Sequence, residues 1–343
     1  DGVFSEIVET KKAGTSNSPI SFIGSGNSTV LSFGIYHEWN NVDNFKFINP
    51  VFPIYAGITY TKGNIRITRN NFQNMHYSAI KPVDSSGGFI PVDMWPSNVY
   101  IGNNTFYNID TVSQVLMFVG NSSVIENNIF DSNAADIINL WGDNNIIRKN
   151  TITNILRDNI GLAKGSENHN DIIQTWYSVP GSHSRNNIFE SNYVKDAYSQ
   201  LNNLEDGNFN SNFGNWTFRN NVFINVSFNG NPGIENNKWY NNTFYHSPYT
   251  YQSSTPIGYF NQDKFHSAGG IVMNNLFINT GNSDPGVPEK RNFFSKLYTH
   301  DYNMVAWMSP HFSGPMNSLP SNKFDDVNGV EGLDPMFVDI LNG

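Results

Sequence analysis

Cysteine is absent from this 343-residue chain, which excludes disulfide bonds, thiolate metal sites and a cysteine nucleophile. Charged residues are also scarce, at 14%, and the formal net charge of −9 comes without any cluster of lysine and arginine, so nucleic acid is not an expected partner. No apolar run is long enough to span a membrane, and no signal peptide remains at Asp1. With the many Asn, Ser and Thr residues, these absences predict an exported bacterial or viral protein with no membrane partner.

The clearest pattern that is present is a short phrase repeated along the chain. Each copy has an Asn, one further residue and then an apolar residue, as in Asn128-Ile-Phe130, and most copies begin with two Asn residues. The copies lie from about 21 to about 42 residues apart, which is the spacing of a solenoid. Their apolar residues are Phe72, Phe106, Phe130, Ile152, Val194, Phe223, Phe244 and Phe277.

Asn suits such a repeat because it tolerates left-handed backbone geometry, and its amide can both donate and accept hydrogen bonds between stacked copies. The flanks alternate like short strands, as in residues 65–68, 124–126 and 216–219, and no helical period is visible. A coil of 21 to 24 residues holds three such strands. The sequence therefore predicts an all-β, single-domain parallel β-helix in which one line along the axis contains Asn104, Asn128, Asn150, Asn192, Asn221 and Asn242.

The two ends of the chain extend this expectation. Residues 2–8 alternate like a strand, and residues 20–23 begin the next one after a turn-rich stretch. Beyond Asn275 the repeat weakens, and prolines recur at positions 285, 288, 310, 315 and 320. We expect coils over residues 1–280 and an irregular closing segment over residues 281–343 that covers the last coil.

The opening residues, the Asn-Asn-x-Phe repeats and the late motifs at residues 301–303 and 334–339 resemble the right-handed β-helix proteins of the pectin-lyase-like superfamily. The resemblance spans nearly the whole chain, and it implies a right-handed coil. That superfamily includes polysaccharide lyases, glycoside hydrolases, phage tailspikes and adhesins, so the resemblance implies a polysaccharide partner without choosing an activity. It is also consistent with a secreted, extracellular or virion-surface location and with either a monomer or a homotrimer.

A second repeat points to a site. Asp-Ile-Ile-x-x-Trp occurs at residues 136–141 and 171–176, and residues 200–206 offer Gln-Leu-Asn-Asn-Leu-Glu-Asp at the equivalent place. Stacked coils would align these side chains about 4.8 Å apart. If the rows face outward, they form a groove with amides and aromatic rings for sugars, and if they face inward, they are core. The predicted substrate-binding residues are Asn139, Trp141, Gln174, Trp176, Gln200 and Asn203.

Two kinds of catalysis could use this groove. Glycoside hydrolysis needs two carboxyl groups, and Asp171 with Glu205 is the leading pair, with Asp206, Asp136 and Asp143 as other candidates. For a lyase, the resemblance implies a base beside Ca²⁺, with Lys164, Arg157 or His169 as the base. In that reading the possible Ca²⁺ ligands are Asp136, Asp171 and Glu205.

The sequence thus predicts a protein that binds a polysaccharide across residues 136–206 and cleaves it. Hydrolysis is the first choice and Ca²⁺-dependent β-elimination on a uronate polymer the second. A non-catalytic adhesin or spike module is the third reading. No cofactor is required by the hydrolytic reading.

Overall fold

The computed structural model describes residues 2–48, 57–76, 78–82, 90–109, 114–155, 170–175, 180–197, 200–204, 212–226, 236–245, 269–278, 298–306 and 327–331. Within these residues the chain forms 32 strands, numbered here in chain order, and one turn of 3-10 helix at Val92–Met94. Neighbouring strands pair in parallel and join coil to coil in one sheet of 11 strands and one of 19. The larger sheet covers two faces of the coil, which β3 joins by pairing with both β5 and β6, and its two faces are described here as the second and third sheets. No helix in this part of the chain is long and apolar enough to cross a membrane.

The strands of the first sheet lead into the Asn phrases. They are β2 (Ile20–Ile23), β4 (Asn40–Asp43), β7 (Arg66–Thr68), β10 (Tyr100–Gly102), β13 (Val124–Glu126), β16 (Ile146–Arg148), β20 (Ile188–Glu190), β24 (Thr217–Arg219), β26 (Lys238–Tyr240), β28 (Gly270–Met273) and β30 (Tyr298–Asp301).

The strands of the second sheet follow the Asn phrases. They are β5 (Lys46–Ile48), β8 (Asn71–Gln73), β11 (Thr105–Tyr107), β14 (Ile129–Asp131), β17 (Thr151–Ile155), β21 (Tyr193–Ala197), β25 (Val222–Val226), β27 (Thr243–Tyr245), β29 (Leu276–Ile278), β31 (Met304–Ala306) and β32 (Val330–Glu331).

The third sheet completes the coil and comes last in each turn. Its strands are β1 (Gly2–Glu9), β3 (Ser28–Ile35), β6 (Gly57–Tyr60), β9 (Ile80–Pro82), β12 (Gln114–Val119), β15 (Asp136–Trp141), β18 (Asp171–Thr175) and β22 (Gln200–Leu204). A short extra pair joins β19 (Ser184–Arg185) to β23 (Phe213–Gly214). The strands predicted at residues 2–8, 20–23, 65–68, 124–126 and 216–219 are confirmed to within one residue at each end.

Left-handed residues mark the corners between sheets at a fixed interval. In one coil Ser122, Asn127 and Ser132 have φ of 50°, 55° and 56°, and in the next coil Asn144, Lys149 and Asn154 have φ of 59°, 54° and 54°. The interval between successive corners is five residues, because a left-handed residue and one buried residue are followed by a three-residue strand. Asn and Ser are frequent there because short polar side chains tolerate this conformation better than apolar ones.

The corner between the first and second sheets contains the Asn ladder. The side-chain oxygen of each ladder Asn after the first accepts hydrogen bonds from the backbone N–H and the side-chain amide of the Asn one coil earlier, as Asn128 does from Asn104 at 2.9 and 3.0 Å. The first, Asn70, accepts from the backbone N–H of Phe45. The predicted single line of Asn residues is confirmed. The ladder consists of Asn70, Asn104, Asn128, Asn150, Asn192, Asn221, Asn242, Asn275 and Asn303.

The last rung corrects one expectation about the C-terminal segment. Asn303 lies inside the segment expected to be irregular, yet its side-chain oxygen accepts from Asn275, and β30 and β31 pair with β28 and β29 of the preceding coil. The coils therefore continue past residue 280. The prolines of the segment misled the prediction, since neither β30 nor β31 contains one.

The core runs along the axis as stacked rings and aliphatic side chains. Phe72 stacks on Phe47 and on Phe106 at centroid distances of 4.7 and 5.0 Å, and Phe106 stacks on Phe130 at 4.6 Å. Further along, Phe244 stacks on Phe277 at 4.9 Å. Except for Phe47, these are the apolar residues of the repeated phrase, and their burial is the main stabilising term for the solenoid.

The connections differ sharply between corners. Two residues join a first-sheet strand to the following second-sheet strand in ten described coils, as residues 149–150 do between β16 and β17. The exception is β2, which four residues separate from β3. Longer and variable segments occur only on either side of a third-sheet position; residues 83–89, 156–169 and 205–211 are examples. Because inserted segments on one side of a solenoid commonly carry binding residues, the third sheet is the place to search for a site.

Candidate functional site

The predicted row of amides exists in the backbone register of the third sheet. Asn139 of β15 faces Gln174 of β18, and Gln174 faces Asn203 of β22. Met117 of β12 occupies the same row before Asn139. The alignment of the two Asp-Ile-Ile-x-x-Trp copies and the following coil is therefore confirmed, while the roles of these residues stay predictions.

The side of the sheet follows from what each residue packs against. Ile138 and Leu140 belong to the main core cluster. Trp141 instead packs in a second apolar cluster with Met117 and Val119, and Ile90 and Trp95 cover this cluster. Trp141 therefore lies on the outer face of the third sheet, beneath residues 90–95.

A network of hydrogen bonds connects polar side chains on this outer face. One carboxylate oxygen of Asp136 accepts the backbone N–H of Asp171 at 2.9 Å, and the other accepts the side-chain amide of Asn139 at 3.3 Å. The same amide lies 3.4 Å from the side-chain oxygen of Gln114. We call Gln114, Asp136, Asn139, Asp171 and Gln174 the aspartate cluster.

Exposure within the aspartate cluster is uneven. The side chains of Asn139 and Asp171 are 1% and 0% exposed, and Gln114 is also buried. Asp136 and Gln174 are partly exposed. A ligand would therefore meet Asp136 and Gln174 first, and these two residues are held by buried polar neighbours, as a site with fixed geometry requires.

One predicted binding residue is corrected by its burial. Trp141 has no exposed surface, so its indole cannot offer an open face to a sugar ring, and the expectation that it forms an aromatic platform is wrong. The alternative, that this residue serves packing, holds for Trp141. An outward-pointing strand position is not necessarily open to solvent, because residues 90–95 cover this part of the face.

Several other candidates lie outside the described residues. They are Arg157, Lys164, His169, Trp176, Glu205 and Asp206. Gln200 and Asn203 are placed by backbone register alone, with Gln200 opposite Asp171. Their assignments stay predictions.

The described register places Asp136 beside Asp171. Both residues lie two positions before the facing residues Ile138 and Ile173 of adjacent coils, and Asp171 itself faces Gln200. Because Glu205 lies outside the described residues, the pairing of Asp171 with Glu205 stays a prediction.

A second polar group lies at the opposite end of the same face. The Nε2 atom of His183 is 3.9 Å from a carboxylate oxygen of Asp143, and its Nδ1 atom is 3.2 Å from the carbonyl of Gly181. The imidazole also packs on the indole of Trp95, with ring centroids 4.5 Å apart. We call Trp95, Asp143 and His183 the histidine cluster. Sequence reasoning named Asp143 but missed His183, which belongs to no repeated phrase.

The aspartate cluster contains two of the residues that the lyase reading assigns to Ca²⁺, Asp136 and Asp171. Carboxylate and amide oxygens are suitable ligands for this ion, but both oxygens of Asp136 already accept hydrogen bonds. In the part of the chain that the structure describes, no group of three or more His, Asp or Glu side chains is placed to hold a metal ion. The described residues alone do not fit a Ca²⁺ site.

Comparison with known proteins identifies the fold family. The sequence profile described as "Right handed beta helix region" matches residues 56–247, more than half of the chain. The chain belongs to this family. The right-handed coil implied by the sequence resemblance is thus confirmed, and no sequence match is found among proteins with curated descriptions.

Solved structures with a similar fold are distant in sequence. A mutant of a PL6 family alginate lyase has a TM-score of 0.47 and 14% identity, covering 89% of this chain and 47% of its own. A mannuronic acid specific family 6 lyase from human gut microbiota has a TM-score of 0.45 and 13% identity, covering 98% and 76%. A tailspike mutant of E. coli bacteriophage HK620 has a TM-score of 0.47 and 11% identity, covering 95% and 58%. The chain thus spans about half the length of the alginate lyase.

Proposed function

We propose that this β-helix protein binds a polysaccharide on the outer face of the third sheet and cleaves it at the aspartate cluster. The observation that carries the proposal is the contact between adjacent coils in which Asp136 accepts the backbone N–H of Asp171. This contact sets the Asp136 carboxylate against the backbone of Asp171 in the next coil, on the side of the solenoid that has the inserted segments. The substrate class is also the one named for the lyases of similar fold.

Hydrolysis is the reaction that this arrangement supports best. It needs one carboxyl group to protonate the leaving oxygen and a second to act as nucleophile or to activate water. Asp136 is oriented by two donors, which suits the nucleophile or base. Asp171 is fully buried, so it can act on the polymer only if its side chain becomes accessible when the polymer binds. A carboxyl group shielded from water suits the proton donor. Gln174 is partly exposed three residues after Asp171 on β18, and its amide serves to bind sugar hydroxyls.

The test is a panel of neutral and uronic-acid polysaccharides incubated with the protein, with and without a chelator. Reducing ends without ultraviolet absorbance from unsaturated products would support hydrolysis. Unsaturated products that vanish after chelation would instead establish the Ca²⁺-dependent lyase. Binding without any new ends would establish an adhesin or spike module, and neither binding nor cleavage would defeat the proposal.

Substitution of the two carboxyl groups tests the site itself. Asp136→Asn and Asp171→Asn keep the side-chain shape, so both variants should fold while kcat falls by at least about a hundredfold. Asp131→Asn is the matched control, because Asp131 lies on the second sheet and accepts hydrogen bonds from Thr153 and Asn154. If both cluster variants keep full activity and the wild-type thermal midpoint, cleavage occurs elsewhere.

A further inference from the structure

The histidine cluster has the features of a binding site that the proposed chemistry does not use. The side chains of Asp143 and His183 are 29% and 25% exposed, so a solute can reach both. Trp95 is 8% exposed and lies behind the imidazole. One face of the histidine ring is therefore backed by an indole, and a carboxylate stands beside its edge.

Both polar side chains in the histidine cluster are held in place. One carboxylate oxygen of Asp143 accepts the backbone N–H of Arg185 at 2.8 Å, and the backbone N–H of Asp143 donates to the side-chain oxygen of Asn121 at 2.8 Å. The Gly181 carbonyl can only accept, so the Nδ1 atom of His183 donates to it. In the neutral ring this leaves Nε2 as an acceptor that faces the second carboxylate oxygen of Asp143.

The gap between these two acceptors suits hydroxyl groups. At 3.9 Å, Nε2 of His183 and the Asp143 oxygen are too far apart for a direct hydrogen bond, but each can accept from a separate hydroxyl placed between them and the solvent. Two neighbouring hydroxyls on one sugar ring present two donors at a similar spacing. The apolar face of the same ring can pack against the imidazole, as sugar rings do against aromatic side chains.

We propose that the histidine cluster is a secondary saccharide subsite that takes a sugar ring through two neighbouring hydroxyls. The subsite rests on the proposed function, since it holds another part of the polymer cleaved at the aspartate cluster. Trp141 is five residues from Asp136 along β15, or about 16 Å, and Asp143 follows two residues later. Only an oligosaccharide of several sugars can reach both clusters, so the subsite should act on long chains alone.

The test uses His183→Phe, which keeps a ring on Trp95 but removes Nε2, and Asp143→Asn, which keeps an acceptor for the Arg185 N–H. For long oligosaccharides of the substrate found in the panel, KM should rise about tenfold in both variants, equivalent to about 1.4 kcal/mol, while kcat is unchanged. For the shortest cleaved oligosaccharide, KM should stay at the wild-type value. Asp131→Asn is again the control and should alter neither.

Two results would overturn the subsite. If KM is unchanged at every length in two variants that retain the wild-type thermal midpoint, the histidine cluster does not bind substrate. If KM rises equally for short and long chains, the histidine cluster affects the geometry of the aspartate cluster and does not bind a distant sugar. A wild-type protein that binds and cleaves nothing in the panel removes the proposed function and this subsite together, which separates that failure from the other two.

Discussion

At the scale of single residues, the two members of each Asn-Asn pair have different structural roles. Asn127 is exposed and has φ of 55°, so it turns the chain. Asn128 is fully buried, donates to the carbonyl of Ile101 and to the side chain of Asn150, and accepts from Asn104. A corner thus needs one residue that tolerates a left-handed backbone and one amide that can both donate and accept.

This division predicts unequal effects of substitution. Asn128→Ala leaves the carbonyl of Ile101 and the N–H of Asn104 buried without their bonds, so the free energy of unfolding should fall by about 2 to 5 kcal/mol. Asn127→Gly, one residue earlier, should change it by less than about 1 kcal/mol, because glycine adopts positive φ readily. Urea denaturation of both variants measures the difference, and equal losses would contradict the division.

The sequence alone was enough to predict the Asn ladder, but not which side chains of the candidate site are exposed to solvent. Asn104 and the other ladder residues were predictable because each one lies at the same position before an apolar strand residue. Neither a packed apolar core nor the face of a helix produces that regular placement of Asn. Trp141 was not predictable in the same way. Its outward direction follows from the strand period, but its burial depends on Ile90 and Trp95, about fifty residues earlier in the chain.

At the scale of the elements, a second line of buried polar residues lies between the third and first sheets. Asn145 accepts the backbone N–H of Ser123, and Asn187 accepts that of Asn145. Both follow a left-handed Asn and lie five residues before a residue of the first ladder. The interval was present in the sequence, but Ser123 breaks the Asn-Asn phrase in its coil, and the second ladder was missed for that reason.

Charged residues on the first sheet form a row of a different kind. Glu126 accepts hydrogen bonds from Tyr100 at 2.9 Å and from Arg148 at 2.5 Å, across neighbouring strands. Burial raises the pKa of the Glu126 carboxyl, but the hydrogen bonds from Arg148 and Tyr100 lower it more, and the net pKa lies below its usual value. This row joins coils on the surface, while the ladders join them inside.

The lowered pKa of Glu126 predicts how this row responds to acid. A carboxyl group with a lower pKa in the folded state adds stability above its unfolded pKa of about 4.5, and that stability is lost as pH falls through the folded-state pKa. Glu126→Gln should therefore cost up to about 1 kcal/mol at neutral pH and less below about pH 4.5, because the pair is near the surface.

Denaturation midpoints of wild type and Glu126→Gln from pH 7 to pH 3 provide the measurement. In an Arg148→Gln background the same substitution should lose most of its pH dependence, since the main partner is gone. A stability difference that grows toward acid would show that Glu126 is not held in its charged form by Arg148.

At the scale of the whole molecule, two kinds of corner have separate roles. One is the two-residue corner between the first and second sheets, and the other is the corner of variable length on either side of the third sheet. The ladder corner never varies in length across ten coils, so it fixes the register of stacking. The connections on either side of the third sheet vary from coil to coil, so the register does not depend on them. The sequence predicted this asymmetry at its longest interruption, between residues 150 and 192. It could not predict which residues of the interrupted side approach one another, because that depends on segments distant in the sequence.

The last prediction tests this asymmetry by shortening the connection between β17 and β18. In the preceding coil four residues, 132–135, join Asp131 to Asp136, and Ser132 is left-handed as Asn154 is. Thr153 pairs with Asp131, so the same connection in the next coil needs four residues between Thr153 and Asp171. Residues 154, 155 and 170 already supply three of them. Replacing the fourteen residues 156–169 with one alanine should give a folded coil of ordinary length, with a thermal midpoint within a few degrees of wild type.

Cleavage should nevertheless be lost or fall at least about a hundredfold, because the deleted segment adjoins Asp171 and contains the candidates Arg157, Lys164 and His169. The control inserts four residues between Lys149 and Asn150, at the invariant corner. That insertion displaces Asn150 from Asn128 and Asn192, and it should lower the midpoint far more than the larger deletion. A shortened protein that folds and cleaves at the wild-type rate would show that the active side of the coil is not the interrupted one.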